Sequence, residues 1–285
     1  MARLGQNQYG KAQIRLMKVD RDTERHVLHD LNVSIALAGD METVHLLGDN
    51  ATVLPTDTQK NTAYAFAREH GIGAIEAFAA LLARHFVGSQ PSIHRARVHI
   101  EEYSWERLDD APHSFAQSGR EVRTTTVTYD GQHERVLSGL TGLVLLSSTG
   151  SEFTGFLKDR YTTLAEASDR VLCTSVDATW RHASPPGDWG KSYSAARAAL
   201  TGAFAGTHSR SLQQTLYAMG ERLVSSGPGI AEVRLSLPNR HHFLVDLAPF
   251  GLDNPGEVFH VDDRPYGLIE GTVLADDAVL DAEAW

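Results

Sequence analysis

The stretch Val233–Asp246, VRLSLPNRHHFLVD, places two apolar runs on either side of a polar centre. In VRLSL at 233–237 apolar and polar residues alternate, which is the period of a half-buried strand. Pro238 has no backbone N–H, so we expect it to close this strand and a second strand to begin at Phe243. The polar NRHH at 239–242 would then be held between two strands. Such rigid placement suits a proton-transfer site, although a loop that faces water explains the segment equally well.

Composition narrows the class of protein. The 285 residues are 42% hydrophobic and 22% charged, which is typical of a soluble globular protein of one or two domains. The formal charge of −10 argues against nucleic acid as a partner. The single cysteine, Cys173, excludes an internal disulfide and a cysteine-rich metal site, and the scattered histidines favour no metal. With no membrane-length apolar run and no signal-like N-terminus, we expect a cytoplasmic protein without a membrane partner.

The first half of the chain is predicted to contain a strand pair, a helix pair and a second strand pair. Thr56 or Asp57 is the expected N-cap of the first helix, and Asp130-Gly131 the expected type I′ turn of a hairpin. The predicted strands cover 5–19, 26–38, 95–103, 121–129 and 134–140, and the predicted helices cover 58–70 and 75–86. The second helix has a single apolar face, formed by Ile75, Phe78, Ala79, Leu82 and Phe86.

The second half repeats this order of elements without repeating the residues. Two helices in each half would cover one face of an antiparallel sheet and leave the other face open, which predicts an α+β fold that assembles into an oligomer. Here the predicted strands cover 143–148, 171–181, 233–237, 243–247 and 268–274, and the predicted helices 189–204 and 212–223. The last helix carries the apolar positions Leu212, Leu216, Met219 and Leu223.

No nucleotide-binding, metalloprotease or hydrolase motif is present. Several single residues could still serve a site, although each has a simpler structural interpretation. Lys11 could relay protons or be a solvated surface residue, and Phe153 lies in a Gly- and Ser-rich loop where it could stack on a planar ligand. Arg170 could bind a planar ligand edge or pair with Asp169, while Gln213 could bind the opposite edge or be plain helix surface.

Seven motifs in order resemble those of the cofactor-independent urate oxidases. They run from near residue 5 to near residue 272 with little insertion, so the resemblance is specific. The motifs are QNQYGK at 6–11, PTDTQKNT at 55–62, STGSEFTGF at 148–156, YTTL at 161–164 followed by DR at 169–170, LQQTLY at 212–217, LPNRHHFLVDL at 237–247 and DRPYGLIEGT at 263–272.

The resemblance implies two tandem tunnelling-fold (T-fold) modules, at 1–137 and 138–285, each an antiparallel sheet with helices on one face. Four chains would assemble into a tunnel-shaped barrel, a homotetramer with its active sites at subunit interfaces. The expected reaction oxidises urate with O2 and water to 5-hydroxyisourate and H2O2, with neither cofactor nor metal.

The resemblance also implies roles for individual residues. Lys11, Thr56 and His241 would form a proton relay, with Thr56 and Asp57 contributed by the neighbouring chain. Arg170 and Gln213 would hold urate in its plane, Phe153 would stack on the ring, and Asn239 would hold O2 or water. Leu212, where the family often has valine, would supply a backbone N–H. The implied substrate-binding set is therefore Thr56, Asp57, Phe153, Arg170, Leu212, Gln213 and Asn239.

Two alternatives remain open at this point. One is another tunnelling-fold enzyme, acting on pterins or guanine nucleotides, although its zinc-dependent members need more cysteine and histidine ligands than a single cysteine offers. The other is a purine-binding oligomer without catalysis.

Overall fold

The computed structural model describes residues 2–226, 229–279 and 281, and these fall into two compact units. The first unit contains residues 2–139 and residue 281, and the second contains residues 140–279. The boundary lies two residues beyond the predicted one, within a strand. Residue 281 joins the first unit because the Asp281 carboxylate accepts a hydrogen bond from Arg135 Nε at 3.0 Å.

The first unit is an antiparallel sheet with helices packed against it. Its elements are β1 Tyr9–Asp20, β2 Val27–Gly39, α1 Glu42–Leu47, α2 Thr56–Glu69, α3 Ile75–Ser89, β3 Ile93–Arg107, β4 Phe115–Tyr129 and the first residues of β5 Glu134–Ser147. The strands are ordered β1-β2-β3-β4-β5 in the sheet, α2 packs on β1, and α3 packs on β3 and β4.

The periodicity of α3 was predicted correctly. Its apolar positions recur at helical spacing, so they share one face, and burying that face against the sheet provides the driving force for folding this unit. All five of the predicted core positions are buried: Ile75, Phe78, Ala79, Leu82 and Phe86.

The start of α2 differs from the prediction, because neither Thr56 nor Asp57 is its N-cap. The helix begins at Thr56, and Pro55 occupies the N-cap position with its carbonyl accepting the Gln59 N–H at 3.2 Å. The fixed φ of proline, here −53°, suits the entry into a helix without a side-chain cap. Thr56 and Asp57 are therefore the first two helical residues, and the Asp57 carboxylate accepts hydrogen bonds from Lys60 and Asn61 of the same helix.

The hairpin after β4 exists, but its predicted type I′ turn was wrong. That turn needs positive φ at both central residues, whereas only Gly131, at 91°, has it. The Asp130 carboxylate instead accepts the N–H groups of Gln132 and His133, at 2.9 and 2.7 Å. These two backbone hydrogen bonds lower the pKa of Asp130 well below its usual range and fix a four-residue connection.

The second unit repeats the plan of the first. Its elements are the remainder of β5, β6 Leu172–His182, α4 Trp189–Gly206, α5 Leu212–Ser226, β7 Ile230–Leu244, β8 Phe259–Asp262 and β9 Leu268–Leu274. Strand β7 pairs antiparallel with both β6 and β9, and α5 packs on β7 and β9. The core of this unit contains the predicted apolar positions of α5, namely Leu212, Leu216, Met219 and Leu223.

Strand β7 runs through Pro238, contrary to the expectation of two strands. The ladder to β6 pairs Asp177 with Ser236 and then Thr174 with Asn239, so it passes over the proline. There the Pro238 carbonyl accepts the Thr174 hydroxyl at 2.9 Å instead. Phe243 is accordingly part of the same strand, and the polar residues 239–242 lie within a strand and alternate between its two faces.

His182 supplies a pH-dependent contribution to stability. It is buried at the end of β6, packs edge-on against Trp189 at 5.2 Å, and has a hydrogen-bond partner at neither ring nitrogen among the described residues. Burial disfavours the charged imidazolium and lowers the pKa of His182 to about 4.

We predict that the free energy of unfolding falls as the pH is lowered from about 6.5 to about 4, because the unfolded chain binds the proton that folded His182 refuses. The contribution of this one residue is on the order of 3 kcal/mol. Urea titrations at several pH values and one protein concentration should show a flatter dependence for His182→Gln than for the wild type. His260→Gln, at an exposed histidine, is the control for the loss of an imidazole, and an unchanged slope for His182→Gln would contradict the prediction.

Candidate functional site

Buried hydroxyl groups join the loop at 148–156 to the start of α5. The Ser209 N–H donates to the Gly150 carbonyl at 3.0 Å, and the Glu152 N–H donates to the Ser209 carbonyl at 2.8 Å. The Thr215 hydroxyl then donates to the Ser209 hydroxyl at 2.8 Å in a buried position. This junction fixes the loop that carries Phe153 against the first turn of α5.

Arg170 is attached to the same junction and lies beside the Phe153 ring. The Arg170 backbone N–H donates to the Ser151 carbonyl at 2.8 Å, and the Arg170 guanidinium carbon lies 5.2 Å from the centre of the Phe153 ring. The structural interpretation of an ion pair with Asp169 was wrong, since that carboxylate accepts the Thr149 hydroxyl and the Gly150 N–H instead.

Within the described residues the Arg170 guanidinium has no carboxylate partner, and its Nε donates a hydrogen bond to the Ser151 hydroxyl at 3.4 Å. The side chain is half-buried, and the loss of solvation lowers the pKa of its guanidinium. A cation that is partly removed from water without a counter-ion is costly, so an anion bound here would be stabilised. Together with the Phe153 ring, this arrangement favours a planar, negatively charged ligand.

The first turn of α5 adds backbone donors to this region. The Ser211 hydroxyl accepts the Gln214 N–H at 3.2 Å and so caps the helix. Leu212 follows as the first helical residue, with a buried side chain, while Gln213 is exposed. Early N–H groups of a helix have no intrahelical acceptor and suit an anionic or polar ligand. Leu212 can therefore contribute its N–H, and Gln213 its amide.

Asn239 and His241 lie on the same face of β7, two residues apart, which is about 6.7 Å along a strand. That face continues from Leu237, which is buried in the core of the second unit. The Asn239 N–H donates to the Gly267 carbonyl at 2.8 Å, so its side chain is held at a fixed place. His241 lies opposite Asp262 in the antiparallel pairing of β7 with β8. The His241 ring stacks with the Phe243 ring, and the two ring centroids are 5.5 Å apart.

The remaining predicted residues, Lys11, Thr56 and Asp57, belong to the first unit. The pKa of Asp57 is lowered, most of all by its hydrogen bond to Lys60 and to a smaller extent by the charge of Lys11. Lys11 lies in β1, against which α2 packs. The proposed relay is thus divided between the units, with His241 in the second. Within the described residues, no group of three His, Cys, Asp or Glu side chains is placed to hold a metal ion.

Tyr9 fixes the segment before Thr56, a role that the sequence alone did not predict. The Leu54 N–H donates to the Tyr9 hydroxyl at 3.0 Å, which ties the segment before Thr56 to the strand that carries Lys11. Burial raises the pKa of Tyr9 and keeps the hydroxyl protonated. Its place two residues before Lys11 in the QNQYGK motif was the available signal, but no spacing rule connects it with Leu54.

We predict that Tyr9→Phe loosens the segment that precedes α2, because the Leu54 N–H loses its acceptor. Amide hydrogen exchange of Leu54 should become faster, and the free energy of unfolding should fall by about 1 kcal/mol. Tyr64→Phe removes a hydroxyl that donates to the Arg15 carbonyl at 3.2 Å and is the matched control. Equal exchange of Leu54 in the wild type and Tyr9→Phe would show that the hydroxyl does not hold this segment.

Known proteins resemble this chain over most of its length. A half-buried guanidinium beside an aromatic ring is suited to binding a small planar anion. The uricase family model matches residues 7–128 and 136–270. The chain belongs to the uricase family.

Individual relatives support the same assignment. The chain is 49% identical to the uricase of Arthrobacter globiformis over 282 residues, covering 99% of this chain and 93% of that one. It is 37% identical to the uricase of Aspergillus flavus, covering 93% and 94% of the two chains.

Solved structures match the fold over nearly the whole length. The crystal structure of the Arthrobacter globiformis uricase has a TM-score of 0.97 at 48% identity, covering 100% of this chain and 99% of that one. The uricase structure from Bacillus fastidious matches in fold, with a TM-score of 0.81 at 23% identity. The resemblance and the α+β tunnelling fold expected from the sequence are confirmed. The family match does not favour the pterin or purine-binding alternatives.

No helix among the described residues has the length and apolar character needed to cross a membrane.

Proposed function

We propose that this chain is a urate oxidase, which converts urate, O2 and water into 5-hydroxyisourate and H2O2. The observation that carries the proposal is the half-buried guanidinium of Arg170, which lies beside the Phe153 ring and has no carboxylate partner in the described part of the chain. Urate is planar, anionic and bordered by carbonyl and N–H groups. It therefore offers a counter-ion for the guanidinium and a flat face for the phenyl ring.

Binding uses both edges and one face of urate. Arg170 and Gln213 bind opposite edges in the plane of the ring, and Phe153 stacks on its face. The Leu212 N–H adds a donor whose direction is fixed by the helix, and Asp57 and Thr56 complete the contacts from a neighbouring chain. Asn239 holds O2 or water on the free face. These contacts align the two reactants, which lowers the barrier by reducing the entropy lost in the reaction step.

The reaction transfers two electrons from the urate anion to O2. A proton must leave urate, water must add its hydroxyl at the oxidised carbon, and reduced O2 must take up two protons to leave as H2O2. Lys11, Thr56 and His241 form the relay that moves these protons. We propose that no cofactor takes part, because the urate anion is itself sufficiently electron-rich to react with O2 once both are held together.

We further propose a cytoplasmic homotetramer in which each active site combines residues of two chains. Each half of the chain, 1–137 and 138–285, supplies one tunnelling-fold module of the barrel. Exposed apolar side chains on the strand faces opposite the cores support a subunit contact: Met17 in β1, and Val144 and Leu146 in β5.

The first experiment measures O2 uptake on adding urate to chelator-treated protein, with H2O2 assayed in parallel. We expect O2 consumption and H2O2 formation in equal amounts. Activity that appears only after a metal is added back would contradict the cofactor-free reaction. Urate binding without O2 uptake under any condition would contradict the assignment as an oxidase.

A second experiment tests the relay. Lys11→Met and Thr56→Ala should each lower kcat by about 10²–10⁴-fold, since a positioned proton-transfer group contributes that factor. Sedimentation should still give a particle of four times the 31.2 kDa chain mass. The control is Lys191→Met, which changes a lysine whose side chain is 88% exposed at the start of α4. Near-normal kcat in both relay variants would exclude the relay.

A further inference from the structure

Strand β1 contains a bulge directly after Lys11. Lys11 pairs with Ile35 of β2, and the next regular pair is Ile14 with Val33. Two residues, Ala12 and Gln13, therefore face the single residue Ser34. Gln13 has a φ of 60°, a conformation that is uncommon for a residue with a side chain.

The bulge is held by side chains of the adjacent strand β2. The Gln13 N–H donates to the Ser34 hydroxyl at 3.1 Å, which replaces the lost ladder hydrogen bond. The Gln13 side-chain oxygen accepts the Asn32 amide at 2.6 Å, and the same amide donates to Glu101 of β3 at 2.8 Å. Asn32 is itself buried, so these contacts fix the unusual backbone from a rigid support.

The bulge decides which face of the sheet Lys11 occupies. Residues that pair directly across an antiparallel ladder project to the same face, and Ile35 and Val33 both face the core. Lys11 and Ile14 consequently share the face on which α2 packs. In a regular strand, residues 11 and 14 would project to opposite faces, so either Ile14 or Lys11 would be misplaced.

We propose that Gln13 is a positioning residue, which keeps Lys11 on the face of the start of α2 while β1 keeps its core register. This inference rests on the proposed function of Lys11 as a relay residue. Gln13 acts through the backbone of β1 and contacts neither urate nor O2.

Two substitutions at position 13 separate backbone conformation from side-chain loss. Gln13→Val introduces a β-branched residue that disfavours φ near 60°, whereas Gln13→Gly accepts that φ readily. We expect Gln13→Val to lower kcat for urate on the order of tenfold to a hundredfold, as a small misplacement of a reacting group does. Gln13→Gly should retain most of kcat, and KM should change little in either variant.

A double-mutant cycle with Lys11→Met shows whether Gln13 acts through Lys11. If it does, Gln13→Val lowers kcat in the wild-type background but not in the Lys11→Met background. An equal loss in both backgrounds, or an equal loss for Gln13→Gly and Gln13→Val, would overturn the proposal.

Ser34→Ala provides the same test if Gln13→Val fails to fold. It removes the acceptor of the Gln13 N–H without touching the core, so a severalfold loss of kcat should again vanish in the Lys11→Met background. An equal loss in both backgrounds, or no loss in either, would overturn the proposal here as well. Failure of the proposed function is recognised separately, because the wild-type protein would then show no urate-dependent O2 uptake.

Discussion

The charge of Arg170, which has no carboxylate partner among the described residues, is the constraint on which the proposed site depends. A guanidinium that loses solvation without gaining a carboxylate carries a free-energy cost, and a ligand of opposite charge offsets that cost. The adjacent carboxylate, Asp169, accepts the Thr149 hydroxyl and the Gly150 N–H and does not pair with this cation. Part of the affinity for an anion is thus built into the folded chain before the anion arrives.

The rest of the fold keeps the groups around this charge in place. In the second unit, backbone hydrogen bonds of Ser209 hold the Phe153 loop, and the Thr215 hydroxyl ties the Ser209 hydroxyl to α5. The Phe153 ring and the first N–H groups of α5 are therefore held close to the same part of the proposed site. In the first unit, Tyr9 and the bulge at Gln13 fix the strand that carries Lys11 relative to α2. Both devices use hydrogen bonds to place polar groups, while the apolar faces of the helices supply the stability.

The sequence predicted what depends on local periodicity and failed where backbone geometry decides. The apolar face of α3 was predicted because burial follows from the 3.6-residue repeat alone. The prediction that Pro238 closes a strand was wrong, because the ladder to β6 continues on both sides of the proline. There the Pro238 carbonyl accepts a hydrogen bond from the Thr174 hydroxyl, so the missing N–H has little effect. The bulge at Gln13 could not be predicted, because its φ is set by Asn32 and Ser34, which are distant in the sequence. The site residues were predicted from the resemblance of the motifs alone. That residues of two chains form one site is a proposal.

The dissociation constant for urate under anaerobic conditions tests the role of Arg170 most directly, because binding is then separated from oxidation. We expect Arg170→Gln to weaken binding by about 10²-fold or more, because the substitution removes a charge-assisted contact and the need for a counter-ion together. Arg210→Gln, at an arginine whose side chain is 77% exposed and paired with Glu152, should bind urate as the wild type does. Equal affinity of Arg170→Gln and the wild type would show that the charge of Arg170 does not hold urate.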